Sequence, residues 1–367
     1  MYKCYNEIIK ILESSLKNKK YIFDENEDIN WNDLLYKANS HQITSLVYNS
    51  IDKKSLDFAD KDVINKWKSD VFKLNMNQIQ KVNEYRNIMH DLMNRNIDII
   101  VLKGIVNRNY YPRPEFRMLG DLDILVHEDN FADIKKYFSD NGFKRKDEGH
   151  PVHAEFVRND GLSVEVHWKL MNNETYVADT SEFEKNVWNN VVDFDFYGTN
   201  VKVLNREYFL VHLCMHMAKH LRGSGFGLRR VYDIASFSLK EEKTIDMSLF
   251  EAILKKCGGL EFSVSLFKLI NQIFNLNLFR DMLERNQDIH CDLNLLLEEI
   301  LSYDVFKEKE RGISLSKVTS SYTNLFSIKG MHKEYHNLKR NVSNMFKDDN
   351  IKRIIDRRKI LLKEFGL

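Results

Sequence analysis

The chain has 367 residues, 43% apolar and 30% charged, an ordinary globular composition with room for two or three domains. Its 55 Lys and Arg nearly cancel 54 Asp and Glu, and the formal charge of +1 provides no global field toward nucleic acid or an anionic membrane. Cys4, Cys214, Cys257 and Cys291 are scattered, which argues against a disulfide framework or a C-x-x-C zinc site; no apolar run spans a bilayer and the N-terminus lacks a signal-peptide core, so a cytoplasmic protein with reduced thiols is expected.

Neither glycine nor proline occurs before Gly104, whereas Pro112, Pro114 and Pro151 all fall between Gly104 and Gly161. Long helices should therefore flank a turn-rich middle. In residues 33–50, Leu34, Leu35, Ala38, Leu46 and Val47 gather near one helical face. In residues 70–95, Val71, Leu74, Ile79, Val82, Leu92 and Met93 recur at steps of three and four. This first region, 1–95, reads as a helical bundle packing its own core, with no chemistry in it.

The period changes in residues 96–205. Asp98–Leu102 reads as a buried strand ended by Lys103-Gly104, with a short helix to Tyr111. Asp121–Val126 reads as a second strand, and 129–140 as an amphipathic helix stopped by Asn141-Gly142. Phe143–Lys146, Ala154–Arg158 and Leu162–Trp168 read as further strands, the last two joined by the hairpin turn Asn159-Asp160-Gly161. That makes a small sheet of about five strands. A polar stretch, Asn172–Thr180, precedes a strand pair near Val191–Phe196 and Asn200–Val203. From Glu207 the pattern is helical, and the Lys- and Arg-rich tail Lys329–Leu367 reads as a solvated helical face. The predicted fold is α+β: a small mixed β-sheet with flanking helices, between an N-terminal helical region (1–95) and a C-terminal helical domain (206–367).

Three D-x-D pairs occur, and context separates them. Asp60 and Asp62 lie in a helical region, where i and i+2 point apart. Asp193 and Asp195 alternate with apolar residues, but nothing suited to phosphate precedes them. Asp121 and Asp123 put both carboxylates on one strand face, with Leu122 and Ile124 on the other. Adjacent carboxylates repel, and a divalent cation or a proton relieves them; oxygen-only ligands suit Mg2+ or Mn2+. Along Leu162–Trp168, Ser163, Glu165 and His167 share a face, so Glu165 can complete a three-carboxylate cluster if the two strands are neighbours. Glu155 is the competitor, and the cleaner apolar flanks of Glu165 favour it. Lys103-Gly104 and Arg117 offer positive charge and close backbone approach to a phosphate, with Gly120 opening the Asp121 strand.

At these residues the sequence resembles the uncharacterised nucleotidyltransferase family, often called nucleotidyltransferase family 5, of the DNA polymerase β-like superfamily. The likeness rests on Val101-Leu102-Lys103-Gly104, Tyr111-Pro112, Arg117, Asp121–Val126, Gly142-Phe143 and Val164–Trp168. It continues through His212–His216 and Arg229–Ala235, covering roughly residues 30–240. The resemblance implies a mixed-sheet catalytic core, here 96–205, with Asp121, Asp123 and Glu165 as the catalytic, metal-binding triad for Mg2+ or Mn2+. It implies a nucleoside triphosphate held by Lys103, Gly104, Arg117 and Gly120, and transfer of a nucleoside monophosphate to a hydroxyl with release of pyrophosphate. Lys103-Gly104 stands where the wider superfamily has a glycine-serine pair, and that departure makes an inactive nucleotide-binding or interaction module the alternative.

His212, His216 and His220 recur every four residues along one helix face, without the glutamate of H-E-x-x-H. His216 is expected to line the cleft, with His167, Arg229 and Asp233 beside it; a histidine-metal hydrolase is the second alternative. Arg229 and Asp233, four apart, could instead pair with each other. Gly223-Ser224-Gly225-Phe226-Gly227 lacks a P-loop ending and reads as a flexible helix connection, with a lid as the sharper alternative. The near-neutral charge places a small molecule, peptide or protein ahead of long RNA as acceptor. No membrane partner is expected, and the sequence sets no oligomeric state.

Overall fold

Aspartate and asparagine caps start three of the N-terminal helices of the computed structural model, which describes residues 2–146, 150, 152–171, 178–223, 225–303 and 349–367. Helix α1 (Tyr2–Leu16) is followed by α2 (Trp31–Ser40), whose Asn30 cap accepts from the Asp33 N–H, and by α3 (Thr44–Ser50). The stripe expected over 33–50 is thus two helices, broken where Gln42 takes φ +57°. Tertiary contacts make that break: buried His41 places Nε2 3.2 Å from the Tyr5 hydroxyl, and its Nδ1 accepts from the Leu228 N–H at 3.1 Å. Asp52 caps α4 (Lys53–Asp57) and Asp60 caps α5 (Lys61–Asn94).

Helix α5 buries Trp67, Val71, Gln78, Val82, Tyr85, Met89 and Leu92 along one stripe. Ile79, expected on that face, is 43% exposed, and Gln78 takes the inward position instead. The polar residue wins because its amide meets backbone: the Leu119 N–H donates to Gln78 Oε1 at 2.6 Å.

The middle region begins with β1 (Ile99–Val101), buried throughout, and α6 (Lys103–Asn107). It continues through β2 (Leu122–Val126), α7 (Phe131–Asp140), β3 (Phe143–Arg145), β4 (His153–Arg158) and β5 (Ser163–His167). Gly142 closes α7 at φ +78°, and Gly161 turns the β4–β5 hairpin at φ +85°. After α8 (Ser181–Asn186) come β6 (Val191–Phe196) and β7 (Thr199–Leu204). These two do not stand apart as a separate pair. Strand β7 runs parallel to β1, giving one seven-stranded mixed sheet in the order β3-β4-β5-β2-β1-β7-β6. Of the polar stretch expected before α8, residues 172–177 lie outside the described residues.

Seven described helices follow: α9 (Arg206–Arg222), α10 (Leu228–Glu241), α11 (Met247–Lys256), α12 (Leu260–Phe274), α13 (Arg280–Arg285), α14 (Leu293–Leu301) and α15 (Asp349–Glu364). The N-terminal α1 packs against α10 and α12. Among the described residues no helix is long and apolar enough to cross a membrane.

The basic tail departs from a solvated face. Residues 329–348 lie outside the described residues, but α15 packs on α14 and α9 with Ile355, Leu361 and Phe365 buried. Arg357 and Arg358 both reach Glu299, which is 1% exposed. The glycine-rich connection between α9 and α10 is packed as well: Phe226 is fully buried, Arg358 reaches the Gly223 carbonyl, and a Cβ on Gly225 would collide with the same guanidinium. This packing opposes a free lid.

Breaking that anchor should be costly. Glu299→Ala leaves the buried Arg358 without a carboxylate, and a loss of about 3–5 kcal/mol in urea unfolding is expected. A cost under about 1 kcal/mol would show that the C-terminal helix is held by its apolar face alone.

Candidate active site

Strands β2 and β5 lie side by side and parallel, with Asp123 in register with Glu165. Registered neighbours point to the same face, so sheet pairing alone sets two carboxylates together. Asp121 precedes Asp123 by two residues, and one carboxylate oxygen from each of Asp121, Asp123 and Glu165 lies within 4.8 Å of the others. Helix α5 fixes the approach to β2. Besides Gln78, Lys81 Nζ donates to the Gly120 carbonyl at 3.1 Å, and the Tyr85 hydroxyl donates to the Ser163 carbonyl at 3.1 Å.

Positive groups meet these acids unequally. Lys103 leaves β1 in the left-handed region, φ +36°, a conformation that costs a non-glycine residue energy. Its buried ammonium donates to Asp123 Oδ1 at 2.8 Å. His167 Nε2 stands 3.3 Å from Asp123 Oδ1 and 3.6 Å from Glu165 Oε2, and His153 Nε2 stands 3.1 Å from Glu165 Oε1. Burial pushes the Glu165 pKa up, but His167 and Lys103 together hold it well below the usual range. Burial, then Asp123 and Glu165, raise Asp121 to about 6. Asp121 is thus the acid with least help from cations.

Across the floor, α9 and α10 supply a basic wall. Lys219, Arg229 and Arg230 share with the carboxylates the lining of an open cleft of about 200 Å3, smaller than the roughly 300–1,000 Å3 typical of ligand sites. Burial, then Lys103, lower the Lys219 pKa, and burial, then Arg117 and Arg230, lower Arg229 to about 10. These cations crowd one another. Burial also holds His216 and His220 well below the ordinary histidine value, so the helix face they share is neutral. Asn107, fully buried on α6, lines the cleft with both amide atoms lacking hydrogen-bond partners.

The family model described as an uncharacterised nucleotidyltransferase matches residues 27–275. The chain belongs to this nucleotidyltransferase family. Solved structures similar to it include an antigenic nucleotidyltransferase-like protein from Paracoccidioides brasiliensis, 13% identical over 53% of this chain and 92% of that one, TM-score 0.33. Another is the lincosamide antibiotic adenylyltransferase LnuA with lincomycin bound, 12% identical over 42% and 94%, TM-score 0.31. A third is the antibiotic-resistance factor ANT(2'')-Ia in solution, 13% identical over 48% and 90%, TM-score 0.35. Such distant likeness decides nothing about substrate. No curated protein matches the chain.

In this family member one cleft gathers Lys103, Gly104, Arg117, Gly120, Asp121, Asp123, Glu165, His216, Arg229 and Asp233. Gly104 permits the closeness: a Cβ there would come within 3.0 Å of both Arg117 Nη1 and Leu119. Three expectations change. His167 is not among the residues lining the cleft; two residues after Glu165 on the same face of β5, it turns onto the Asp123 and Glu165 carboxylates. Asp233 pairs not with Arg229 but with Arg117, whose Nε and Nη2 donate at 2.8 and 2.7 Å, while Arg229 donates to the Met118 carbonyl. His212, His216 and His220 are not among the described groups whose ligand atoms converge for an ion, and His216 and His220 meet each other at 2.9 Å instead. Glu155 registers with Glu165 but accepts from Ser163 on its far side.

The sequence reading passed over Lys219, Asn107, His153 and Gln78. Lys219 had a signal, since it lies three residues after His216 on the same helix face. His153 and Gln78 had none, because strand pairing and helix rotation alone bring them here.

Asp121 carries a stability cost with a definite pH sign. The folded chain binds the Asp121 proton more tightly than the unfolded chain, so this contribution is most favourable below 3.8, the ordinary value, and is lost as pH rises through about 6. Asp121→Asn should stabilise the metal-free protein at pH 8 by on the order of 1 kcal/mol, discounted because the residue keeps some water contact. Calorimetric melts in chelator should show that gain shrinking toward pH 4. Equal gains at both pH values would rule out carboxylate repulsion as the cause.

Proposed function

We propose that this protein is a divalent-metal-dependent nucleotidyltransferase, moving a nucleoside monophosphate from a nucleoside triphosphate to a hydroxyl acceptor. One observation carries the reading: a three-carboxylate floor faces the basic wall of Lys219, Arg229 and Arg230 across a single cleft. Asp121, Asp123 and Glu165 would hold Mg2+ or Mn2+, since the donor set is all oxygen and its atoms already converge. When bound, the ion supplies charge neutralisation for the triphosphate and a lower acceptor pKa.

The chain's own groups account for the rest. Lys219, Arg229, Arg230 and the free Nη1 of Arg117 would bind triphosphate oxygens, with Gly104 and Gly120 allowing close approach. Arg117 would do so while Asp233 and Tyr111 hold it in place. The acceptor oxygen forms its bond to the α-phosphorus, the bond to the β-phosphate oxygen breaks, and pyrophosphate departs. Glu165 or one of the aspartates would take the hydroxyl proton. His216 lines the same cleft as an uncharged group. A small hydroxylated molecule, a peptide or a protein side chain suits the near-neutral chain better than long RNA. A cytoplasmic setting agrees with four free cysteines.

One observation favours a second reading, nucleotide binding without transfer: Lys103 already occupies an oxygen of Asp123. Incubation with labelled nucleoside triphosphates, Mg2+ and an acceptor panel separates the two. Transfer with pyrophosphate release is expected, and Asp123→Asn should lower it by about a thousandfold. Lys219→Ala should weaken nucleotide binding by about tenfold in calorimetry, the loss of one charge-assisted contact. Tight triphosphate binding with no transfer, unchanged by Asp123→Asn, would establish the second reading.

A further inference from the structure

Beside the carboxylate cluster, along the same strand face, lies a different donor set. Strands β4 and β5 pair antiparallel with His153 opposite His167, one step along from Glu155 opposite Glu165. That register places His153, Glu165 and His167 on one face with their ligand atoms within 4.8 Å of one another. Each oxygen of Glu165 faces a different imidazole: Oε1 lies 3.1 Å from His153 Nε2, and Oε2 lies 3.6 Å from His167 Nε2.

These separations have a metal-site meaning. Ligands about 2.0–2.2 Å from a tetrahedral ion stand about 3.3–3.5 Å apart. The two Glu165–imidazole gaps straddle that edge length and all three ligand atoms lie within 4.8 Å of one another, so side-chain rotations alone would admit an ion. The backbone need not move: Trp168 N–H bonds the Val152 carbonyl at 3.0 Å, and both histidines sit on paired strands. The His150 ring lies against His153, tilted by 33° with centroids 3.5 Å apart, and so restrains its orientation.

We infer that His153, Glu165 and His167 form a second metal site, selective for a borderline divalent ion of the zinc or cobalt class, adjoining the oxygen-only site through shared Glu165. Two imidazoles and one carboxylate suit such ions, while Mg2+ prefers carboxylates and water. The inference does not rest on nucleotidyl transfer, because the donors and their geometry are independent of any substrate. Sharing Glu165 has one consequence: an ion here engages an oxygen of the third carboxylate, so zinc-class ions should shift the Mg2+ requirement of any activity at Asp121 and Asp123.

Cobalt titration of the full-length, chelator-stripped protein tests it. One equivalent of Co2+ should bind and produce the intense visible absorption of a low-coordinate nitrogen-bearing site. His153→Ala should weaken that binding by at least tenfold and remove the band, with His153→Gln as the substitute if the alanine variant melts early. Asp121→Asn should keep the band, since Asp121 belongs only to the oxygen site. Absence of the band in the parent protein overturns the site, as does a band that survives loss of His153 and disappears with Asp121→Asn. A retained band in a protein that shows no nucleotidyl transfer would defeat the proposed activity while leaving this site standing.

Discussion

Repulsion among three clustered carboxylates governs the centre of this molecule. The β2–β5 register sets Asp123 against Glu165, and Asp121 follows from strand alternation. Nothing about the acids themselves favours that closeness. It persists because sheet hydrogen bonds and buried apolar neighbours such as Leu122, Ile124, Val164 and Val166 fix the strands, and the carboxylates must go where the strands put them. The fold then offsets the repulsion locally. Lys103 and His167 serve Asp123, His167 and His153 serve Glu165, and Asp121 is left with a raised proton affinity.

Two kinds of fastening hold this arrangement, and they differ in kind. Helix α5 acts on backbone: Gln78, Lys81 and Tyr85 hold the segment before β2 and the start of β5 without touching a carboxylate. The helix therefore sets position while leaving charge on the floor. The Arg117–Asp233 pair acts through charge instead. It is bidentate, buried on both sides and reinforced by the Tyr111 hydroxyl, and it joins the loop before β2 to α10. A buried pair of this sort adds little net stability against an apolar substitute, but its geometry fixes how the basic wall faces the floor.

Much of this was legible in the sequence, and what was not shares a cause. Alternation along Asp121–Val126 and Leu162–Trp168 identified the strands and their polar faces, because period two is local. The same logic located α7, its Asn141-Gly142 stop and the β4–β5 turn. Relations between distant segments could not be read this way. That Glu165 lies beside Asp123 depended on strand order, which the sequence left conditional. Asp233 chose Arg117 over Arg229, its helical neighbour, because the loop before β2 delivers a guanidinium in bidentate geometry while Arg229 finds a carbonyl. The polar Gln78 displaced Ile79 from the buried face for a backbone partner that periodicity cannot see. The tail's lysines and arginines disguised a buried face because α15 shields Arg358 with Glu299 from another helix.

The two charged surfaces of the cleft are each incomplete in a way that bears on what can enter. No ion pair among the described residues joins Lys219, Arg229 or Arg230 to the three carboxylates, whose partners are Lys103 and the imidazoles of His153 and His167. Burial, and after it crowding by like charges, depresses Arg229 to about 10 in the wall and lifts Asp121 to about 6 in the floor. A lone anion would relieve the wall but meet repulsion from the floor. A lone cation would relieve the floor but add to the field that already depresses the wall. A species with a cationic face and an anionic face relieves both at once, and the two gains share one loss of translational freedom. A divalent metal bound to a triphosphate has that form. Selectivity for it would then arise from two surfaces kept apart, and neutralising either by mutation should loosen discrimination before it abolishes binding.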